Sequence, residues 1–166
     1  LGIFFITLVI AQLFHEFATI ALVTDAGTPG VSDPGDRFIA AARQAGISVI
    51  AIPGPSSLTA ALSISGLPAS EFLFLGFLPH KKRRETLYKE IVASKRTVVL
   101  FESPHRLMKT LEALAGRLGS RHMAVARELT KIYEEIVSGT AGEVLEYFKN
   151  NPEKIRGEVT LMVEPL

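Results

Sequence analysis

Two loops rich in glycine and proline carry groups that could hold a small ligand. The first lies in ALVTDAGTPGVSDPG, residues 21–35, and the second is IPGPSS, residues 52–57. Glycine permits positive φ and a close approach of backbone to ligand, and proline limits the freedom of a loop before anything binds. Around this backbone the loops offer the hydroxyls and carboxylates of Thr28, Ser32, Ser56, Ser57, Asp25 and Asp33. This set suits a neutral or zwitterionic ligand better than a triphosphate, and the first loop has neither the P-loop nor the GxGxxG pattern.

For either loop alone, the alternative is that glycine and proline only punctuate a tight turn between strand and helix. Such a turn needs about 2 to 6 residues. The first loop is about twice that long, and two such loops follow successive predicted strands. Because the carboxyl ends of neighbouring parallel strands face one crevice, we expect the two loops to shape a ligand site together.

Residues 80–85, HKKRRE, form a basic run after the strand predicted at residues 72–77. A charge run of this kind is often only a solvated loop. The functional alternative is binding of a phosphate backbone, which releases counterions and makes affinity depend steeply on salt. Arg106 is one of several later cations that could extend the basic surface.

His105 lies just beyond the predicted strand at residues 97–102. A neutral imidazole can act as a general base near pH 7, although a histidine at a helix start can also serve only a local hydrogen bond. Its sequence context, SPHR, is not a nucleophile elbow. The spacing of His, Asp and Glu residues predicts no metal site.

The elements that must position these groups alternate between strand and helix. Short apolar runs predict strands, and apolar residues at helical spacing predict helices. Strands are predicted at residues 21–23, 47–52, 72–77, 97–102, 123–128, 134–139 and 158–164, and helices at residues 37–44, 58–65, 85–93, 104–118 and 141–149. We therefore predict an α/β protein with two small α/β domains, residues 1–68 and 69–166, with a parallel sheet in the N-terminal part and a mixed sheet in the C-terminal part.

Composition narrows the class further. The chain has 166 residues and a net charge of +1. It contains no cysteine, which excludes disulfides and thiolate catalysis and suits a cytoplasmic location. Residues 1–14 are almost wholly apolar, but the run is shorter than the roughly 18 residues expected of a membrane span. We expect it to be a buried helix or strand, in a protein that lacks an N-terminal part and has no membrane association.

Six motifs, in order along the chain, carry a resemblance to a known family. They are DAGTPGVSDPG, IPGPSS, SGLP, FLGFLPHKKRR, FESPHRL and RELTKIYEE. With them the chain resembles the bacterial small-subunit ribosomal RNA 2′-O-methyltransferases of type I, within the tetrapyrrole methylase superfamily. Relatives carry roughly sixty to seventy more residues before this region, including a strand with a TPIGNL-type loop, and no segment here matches it.

The resemblance implies an S-adenosyl-L-methionine-dependent enzyme that methylates the ribose 2′-hydroxyl of a cytidine in 16S ribosomal RNA. It implies the two-domain tetrapyrrole methylase fold, a homodimer, and a cofactor folded into the cleft between the domains. The small ribosomal subunit would be the partner. By similarity, the cofactor-binding residues are Gly27, Thr28, Val31, Ser56, Ser57, Glu102 and Leu129. The predicted RNA-binding residues are Lys81, Lys82, Arg83, Arg84 and Arg106.

Transfer of a methyl group to a ribose hydroxyl needs a base near the reacting oxygen. The candidates for this catalytic role are Asp33, His105, Glu128 and Lys131. Two other functions stay open at this point: a small-molecule methylase of the tetrapyrrole type, and an inactive truncated fragment.

Overall fold

The protein is described by a computed structural model that covers residues 19–80 and 82–166. The apolar segment 1–14 lies outside these residues. Contacts divide the chain into two compact units, Leu1–Ser56 and Ser57–Leu166. The helix that follows Ser56 belongs to the second unit because its Ala61 and Leu62 pack into a core formed with the sheet. The division into domains after residue 68 stays a prediction.

The helices and strands are numbered here in chain order. The α-helices are α1 (Asp36–Gln44), α2 (Ser57–Ser65), α3 (Arg84–Ala93), α4 (Pro104–Leu118) and α5 (Ala141–Asn150). The strands are β1 (Phe72–Phe77), β2 (Thr97–Glu102), β3 (His122–Arg127), β4 (Glu135–Thr140) and β5 (Val159–Val163). These helices and the five strands of the second unit confirm the sequence predictions to within one residue at each end, and a short 3₁₀ turn, Pro152–Lys154, was not predicted.

Helix α1 of the first unit ends as its sequence predicts, at a glycine. Gly46 has φ +72°, and its N–H donates to the carbonyl of Arg43 at 3.1 Å. The next N–H, of Ile47, donates to the carbonyl of Ala42 at 3.0 Å. This pair of bonds is a Schellman motif, which satisfies carbonyls that the end of a helix leaves open.

The two strands predicted in the first unit are not formed. Residues 21–23 and 47–52 have no strand assignment, and Val23, Ile50 and Ile52 are each about four-fifths exposed. A strand needs a hydrogen-bonded neighbour, and within residues 19–56 no segment pairs with either of these runs. Both strand predictions, and with them the parallel sheet predicted for the N-terminal part, are therefore wrong for the described residues.

The second unit is built on one five-stranded sheet in the order β1-β2-β5-β3-β4. Strands β1 and β2 are parallel, and the other neighbours are antiparallel. This confirms the mixed sheet predicted for the C-terminal part. Because β2 and β3 are both antiparallel to β5, they run parallel to each other, and their carboxyl ends meet at one edge of the sheet.

Helices cover both faces of this sheet. On one face the larger core includes Leu100, Leu111, Leu114 and Phe148, from β2, α4 and α5. On the other face α2 packs through Ala61 and Leu62 against alternate residues of the strands. Because β2 and β5 are buried along nearly their whole length and direct successive side chains to opposite faces, both faces of the sheet are apolar.

None of the helices within residues 19–80 and 82–166 is long and apolar enough to cross a membrane.

Candidate functional site

The first loop, residues 24–35, is held by contacts within the first unit. The Thr24 hydroxyl donates to Oδ2 of Asp33 at 2.9 Å, and the Val31 N–H donates to the carbonyl of Thr28 at 3.3 Å. Gly27 and Gly30 have φ values of +72° and +80°, with no atom within 4 Å of where a Cβ would stand. The loop therefore presents open backbone at both glycines, as the sequence predicts for a ligand-binding loop.

The other predicted cofactor-binding residues in and after this loop are mostly exposed to solvent. Thr28 and Val31 are exposed, and Ser56 is half-buried. Ser57 is exposed and begins α2, in the second unit. Asp33 is half-buried, and its carboxylate accepts the Thr24 bond rather than projecting alone.

In the second unit, the carboxyl edge of the sheet brings separate motifs together. Glu102, the last residue of β2, pairs with Val159 of β5, and Arg127, the last residue of β3, pairs with the same Val159. The ends of β2 and β3 therefore lie two strand spacings apart, about 10 Å. FESPHRL and RELTK, separated by 19 residues in sequence, lie at one edge.

Glu102 lies at this edge with its carboxylate wholly buried. Its Oε1 accepts hydrogen bonds from Nη2 of Arg106 at 2.7 Å and from the Ser103 N–H at 2.9 Å. Its Oε2 accepts from the Thr110 hydroxyl at 2.6 Å, and Nη2 of Arg84 lies 3.6 Å away. A buried carboxylate is tolerated only when paired and hydrogen-bonded, as it is here.

Arg84 takes a different place from the one predicted for it. Its side chain is only 9% exposed; Nε donates to the Tyr88 hydroxyl at 2.8 Å, and Nη2 donates to the Thr110 hydroxyl at 2.6 Å. The guanidinium is thus used inside the protein and is not presented to a phosphate. Because Arg84 belongs to a run of cations, the sequence predicts that it binds RNA. Tyr88, four residues later on the same side of the helix, is the sequence feature that could have indicated its buried role.

The other predicted RNA-binding residues differ in how far they are exposed. Lys82 and Arg83 are exposed, and Arg83 has φ +67° at the start of α3. Lys81 lies outside the described residues. Arg106 is 17% exposed and donates through Nη1 to the carbonyl of Leu78 at 2.8 Å, besides its bond to Glu102. Among the described members of this set, Lys82 and Arg83 are therefore the exposed cations.

The RELTK segment forms a tight turn with two residues at positive φ, Glu128 at +50° and Thr130 at +64°. Oε1 of Glu128 accepts from the Glu158 N–H and from Nζ of Lys131, each at 3.0 Å. The backbone bond from Glu158, followed by the bond from Lys131, holds the pKa of Glu128 below its usual range. Such positive φ at residues other than glycine is costly and clusters at functional sites.

Lys131 lies between two carboxylates. Its Nζ is 3.0 Å from Oε1 of Glu128 and 3.2 Å from Oε2 of Glu158. The bond to Glu128, followed by the one to Glu158, raises the pKa of Lys131. The ammonium therefore stays protonated near pH 7, which favours an electrostatic role over that of a general base.

A second ionic network behind this turn was not predicted. Nε of Arg127 donates to Oε2 of Glu135 at 2.7 Å, and Oε1 of Glu135 accepts from Nζ of Lys154 at 2.6 Å and from the Tyr147 hydroxyl at 2.5 Å. Burial by itself raises the pKa of Glu135, but the bonds from Lys154, Tyr147 and Arg127 outweigh it and lower this pKa to about 2. Glu135 lies in β4 and its partners come from β3, α5 and the 3₁₀ turn, so no local pattern could have revealed them.

Two further predicted residues lie at this edge. His105 is exposed in the first turn of α4. Leu129 is half-buried and packs against the core beneath α2. The edge thus offers an imidazole, a carboxylate, an ammonium and an apolar contact. Within residues 19–80 and 82–166, no group of three or more His, Asp or Glu side chains is arranged to hold a metal ion.

The sequence of the chain matches a family model and several known proteins. The model of the Tetrapyrrole (Corrin/Porphyrin) Methylases matches residues 6–145. A curated protein of Halalkalibacterium halodurans, "Ribosomal RNA small subunit methyltransferase I", is 46% identical over 150 residues, covering 90% of this chain and 51% of the relative. The protein of the same name from Thermotoga maritima is 40% identical over 154 residues, covering 93% of this chain and 68% of the relative. The chain spans about half the length of several curated relatives that it matches.

Solved structures show the same fold. Uroporphyrin-III C-methyl transferase from Thermus thermophilus, complexed with S-adenyl homocysteine, aligns with a TM-score of 0.62 over 95% of this chain and 71% of that one, at 16% identity. A structure of diphthine synthase aligns with a TM-score of 0.60 over 83% of this chain and 57% of that one, at 14% identity. At these identities the likeness concerns the fold.

Proposed function

Because the chain belongs to the tetrapyrrole methylase family, and within it to the group of ribosomal RNA small subunit methyltransferase I proteins, we propose that it is an S-adenosyl-L-methionine-dependent RNA methyltransferase. Its substrate would be the ribose 2′-hydroxyl of a cytidine in 16S ribosomal RNA. The observation that carries this proposal is the identity of 40% and 46% to relatives bearing that name.

The chemistry of the predicted cofactor residues fits S-adenosyl-L-methionine. This zwitterionic cofactor supplies an electrophilic methyl group on a sulfonium sulfur. Open backbone at Gly27 and Gly30 and the hydroxyl of Thr28 suit its polar groups. We propose that Gly27, Thr28, Val31, Ser56, Ser57, Glu102 and Leu129 bind it. Since the carboxylate of Glu102 is fully used by its partners, its contact would come from the backbone.

The side chains at the carboxyl edge would position and activate the ribose hydroxyl. Methyl transfer is an in-line displacement, so holding the attacking oxygen in line contributes most to the rate. His105 is the base that we favour, because it is exposed at this edge and a neutral imidazole accepts a proton near pH 7. Glu128 is already paired with Lys131, and Asp33 with Thr24, so we assign these residues positioning roles.

The proposed partner is the small ribosomal subunit. Lys82 and Arg83 are exposed cations beside the carboxyl edge and would contact RNA phosphates, with the neighbouring Lys81. We further propose a homodimer located in the cytoplasm, as the resemblance to the family implies.

The proposal is tested by incubating the chain with methyl-labelled S-adenosyl-L-methionine and small ribosomal subunits that lack this modification. We expect label on the ribose of a cytidine, located by mapping the RNA. The protein from Thermotoga maritima serves as the positive control, and uroporphyrin III as the competing substrate. Label on uroporphyrin III with none on RNA would contradict the proposal, and calorimetry with S-adenosyl-L-methionine separates loss of cofactor binding from loss of RNA recognition.

A further inference from the structure

A bulge near the end of β1 turns one phenylalanine to the opposite face of the sheet. Phe74 pairs with Val99, whereas Phe77, three residues later, pairs with Phe101, only two residues later. Gly76, between them, has φ +61°. An extra residue of this kind shifts all following side chains to the other face. Without it, Phe77 would share the face of Leu73 and Leu75, which pack against the larger core.

With the bulge, Phe77 completes a row of three aromatic rings. The centre of the Phe74 ring lies 4.9 Å from that of Phe101, edge to face, and the centre of the Phe77 ring lies 5.5 Å from that of Phe101, tilted by 58°. Phe74 is anchored in the core beneath α2, and Phe101 is half-buried. Phe77, at the end of the row, is 53% exposed. An exposed large apolar ring that packs against a half-buried aromatic partner offers its free face to another flat group.

Basic residues follow this ring in the sequence, and Arg106 is bonded at the end of its strand. The next residue, Leu78, is buried, and its carbonyl accepts the Nη1 bond of Arg106, which fixes that guanidinium at the end of β1. Lys82 and Arg83 follow within six residues and are exposed. An aromatic ring beside cations is the arrangement with which proteins bind single-stranded nucleic acid, with bases stacked on the rings and phosphates paired with the charges.

We propose that Phe77 is a stacking platform for a nucleobase of the RNA substrate, supported from beneath by Phe101. The inference rests on the proposed function, and it names the occupant of the exposed ring as a base of unpaired RNA. Stacking makes little distinction between bases, so Phe77 contributes affinity and places the strand, while sequence selectivity comes from other contacts.

The test measures binding of a short, fluorescein-labelled single-stranded RNA to the full chain, and of the same RNA carrying an abasic nucleotide at each position in turn. For the unchanged chain we expect one position at which loss of the base weakens binding about tenfold. Phe77→Leu should weaken binding of the intact RNA by a similar factor and abolish the difference between intact and abasic RNA. Phe77→Trp should restore both, because it keeps an aromatic face.

Phe72→Leu is the matched control, since Phe72 is a partly exposed phenylalanine at the other end of the same strand. It should leave RNA binding unchanged. Phe77→Leu should also leave the salt dependence of binding unaltered, because it removes no charge. The inference is overturned if Phe77→Leu keeps the difference between intact and abasic RNA, or if its effect is on S-adenosyl-L-methionine affinity or on the oligomeric state instead. If the unchanged chain does not bind RNA at all, the proposed function fails first.

Discussion

Glu102 and Arg127 pair with the same residue, Val159, from its two sides. One belongs to the segment FESPHRL and the other to RELTK, and β5 holds both in register. Each is followed by a polar segment closed by a backbone hydrogen bond, Ser103 to Arg106 at the start of α4 after β2 and Glu128 to Lys131 in the turn after β3. The spacing between two candidate parts of the site is thus set by a ladder of backbone hydrogen bonds rather than by flexible loops.

The first prediction concerns the buried carboxylate of Glu102. Glu102→Gln removes the charge that compensates Arg84 and Arg106, and breaking one partner out of a buried ion pair costs about 3 to 5 kcal/mol. Since Arg106 is partly exposed and the amide keeps one acceptor, we expect a decrease near the lower end, about 3 kcal/mol, in the free energy of unfolding. Denaturant titration measures it. Glu90→Gln, an exposed glutamate on α3, should change the free energy by less than about 0.5 kcal/mol.

The second prediction concerns Gly157, which has φ +78°. A Cβ at this position would stand 2.1 Å from Oε1 of Glu128. Gly157→Ala should therefore displace Glu128 from the Glu158 N–H and destabilise the chain by about 1 to 3 kcal/mol. Gly116→Ala makes the same chemical change within α4, where no atom lies within 4 Å of the new Cβ, and should stabilise the chain by about 0.5 to 1 kcal/mol. Equal effects of the two variants on the melting temperature would contradict this interpretation.

The third prediction is a dependence of stability on acid. Bonds from Lys154, Tyr147 and Arg127 outweigh burial and lower the pKa of Glu135 to about 2 from 4.5. Because the folded-state pKa lies below the unfolded one, this carboxylate stabilises the fold above about pH 4.5, and its contribution is lost as pH falls toward 2. Glu135→Gln should flatten the decline in unfolding free energy over this range, measured by denaturation at a series of pH values. Glu153→Gln, an exposed glutamate, should leave the decline as it is.

The fourth prediction concerns the exposed cations after β1. Replacing Lys82 and Arg83 with alanine should reduce the slope of log affinity for single-stranded RNA against log salt by about 1.4, if each cation contacts one phosphate. Lys95 and Arg96 form the matched control pair, since they are exposed cations just before β2, at the opposite edge of the sheet. An unchanged slope for the first pair, or an equal change for the control pair, would refute the assigned surface.

The fifth prediction assigns the proton acceptor. His105→Ala should lower the turnover of methyl transfer by about 100-fold or more, while calorimetry finds the affinity for S-adenosyl-L-methionine unchanged. His122, an exposed histidine at the start of β3, lies at the opposite edge of the sheet and is the control. Turnover of His105→Ala equal to that of the unchanged chain would remove this residue from the mechanism.

Local patterns were sufficient to predict most of the second unit. Apolar runs of strand length gave β1 and β2 within their observed bounds, and Pro104 after Ser103 gave the start of α4. In the first unit, Gly46 correctly predicted the end of α1. The apolar run at residues 21–23 led to a wrong strand prediction, because a strand forms only beside a hydrogen-bonded neighbour, and the run itself does not show whether one is present.

The site was harder to predict wherever a residue's role depends on distant partners. In the sequence Arg84 resembles the other cations of a basic run. In the structure its side chain is buried, where it contacts Glu102 and Thr110. Gly76 within FLFLGF is compatible with a bulge, but its position does not give the new register, and strict alternation would assign Phe77 to the wrong face. The partners of Glu135 come from three separate elements, β3, α5 and the 3₁₀ turn. Sequence motifs identified the edge of the sheet, whereas the direction of each side chain at that edge required the tertiary structure.

The position of β5 has a consequence for synthesis of the chain. It is the last of these five strands in sequence, but it lies at the centre of the sheet, and among the described residues it is the strand that joins β2 to β3. A ribosome making this chain therefore releases four strands as two separate pairs, β1 with β2 and β3 with β4, each with an unpaired inner edge. The second unit can close only after residues 159–163 emerge, so its folding is expected to be a late, single event that follows synthesis of nearly the whole unit.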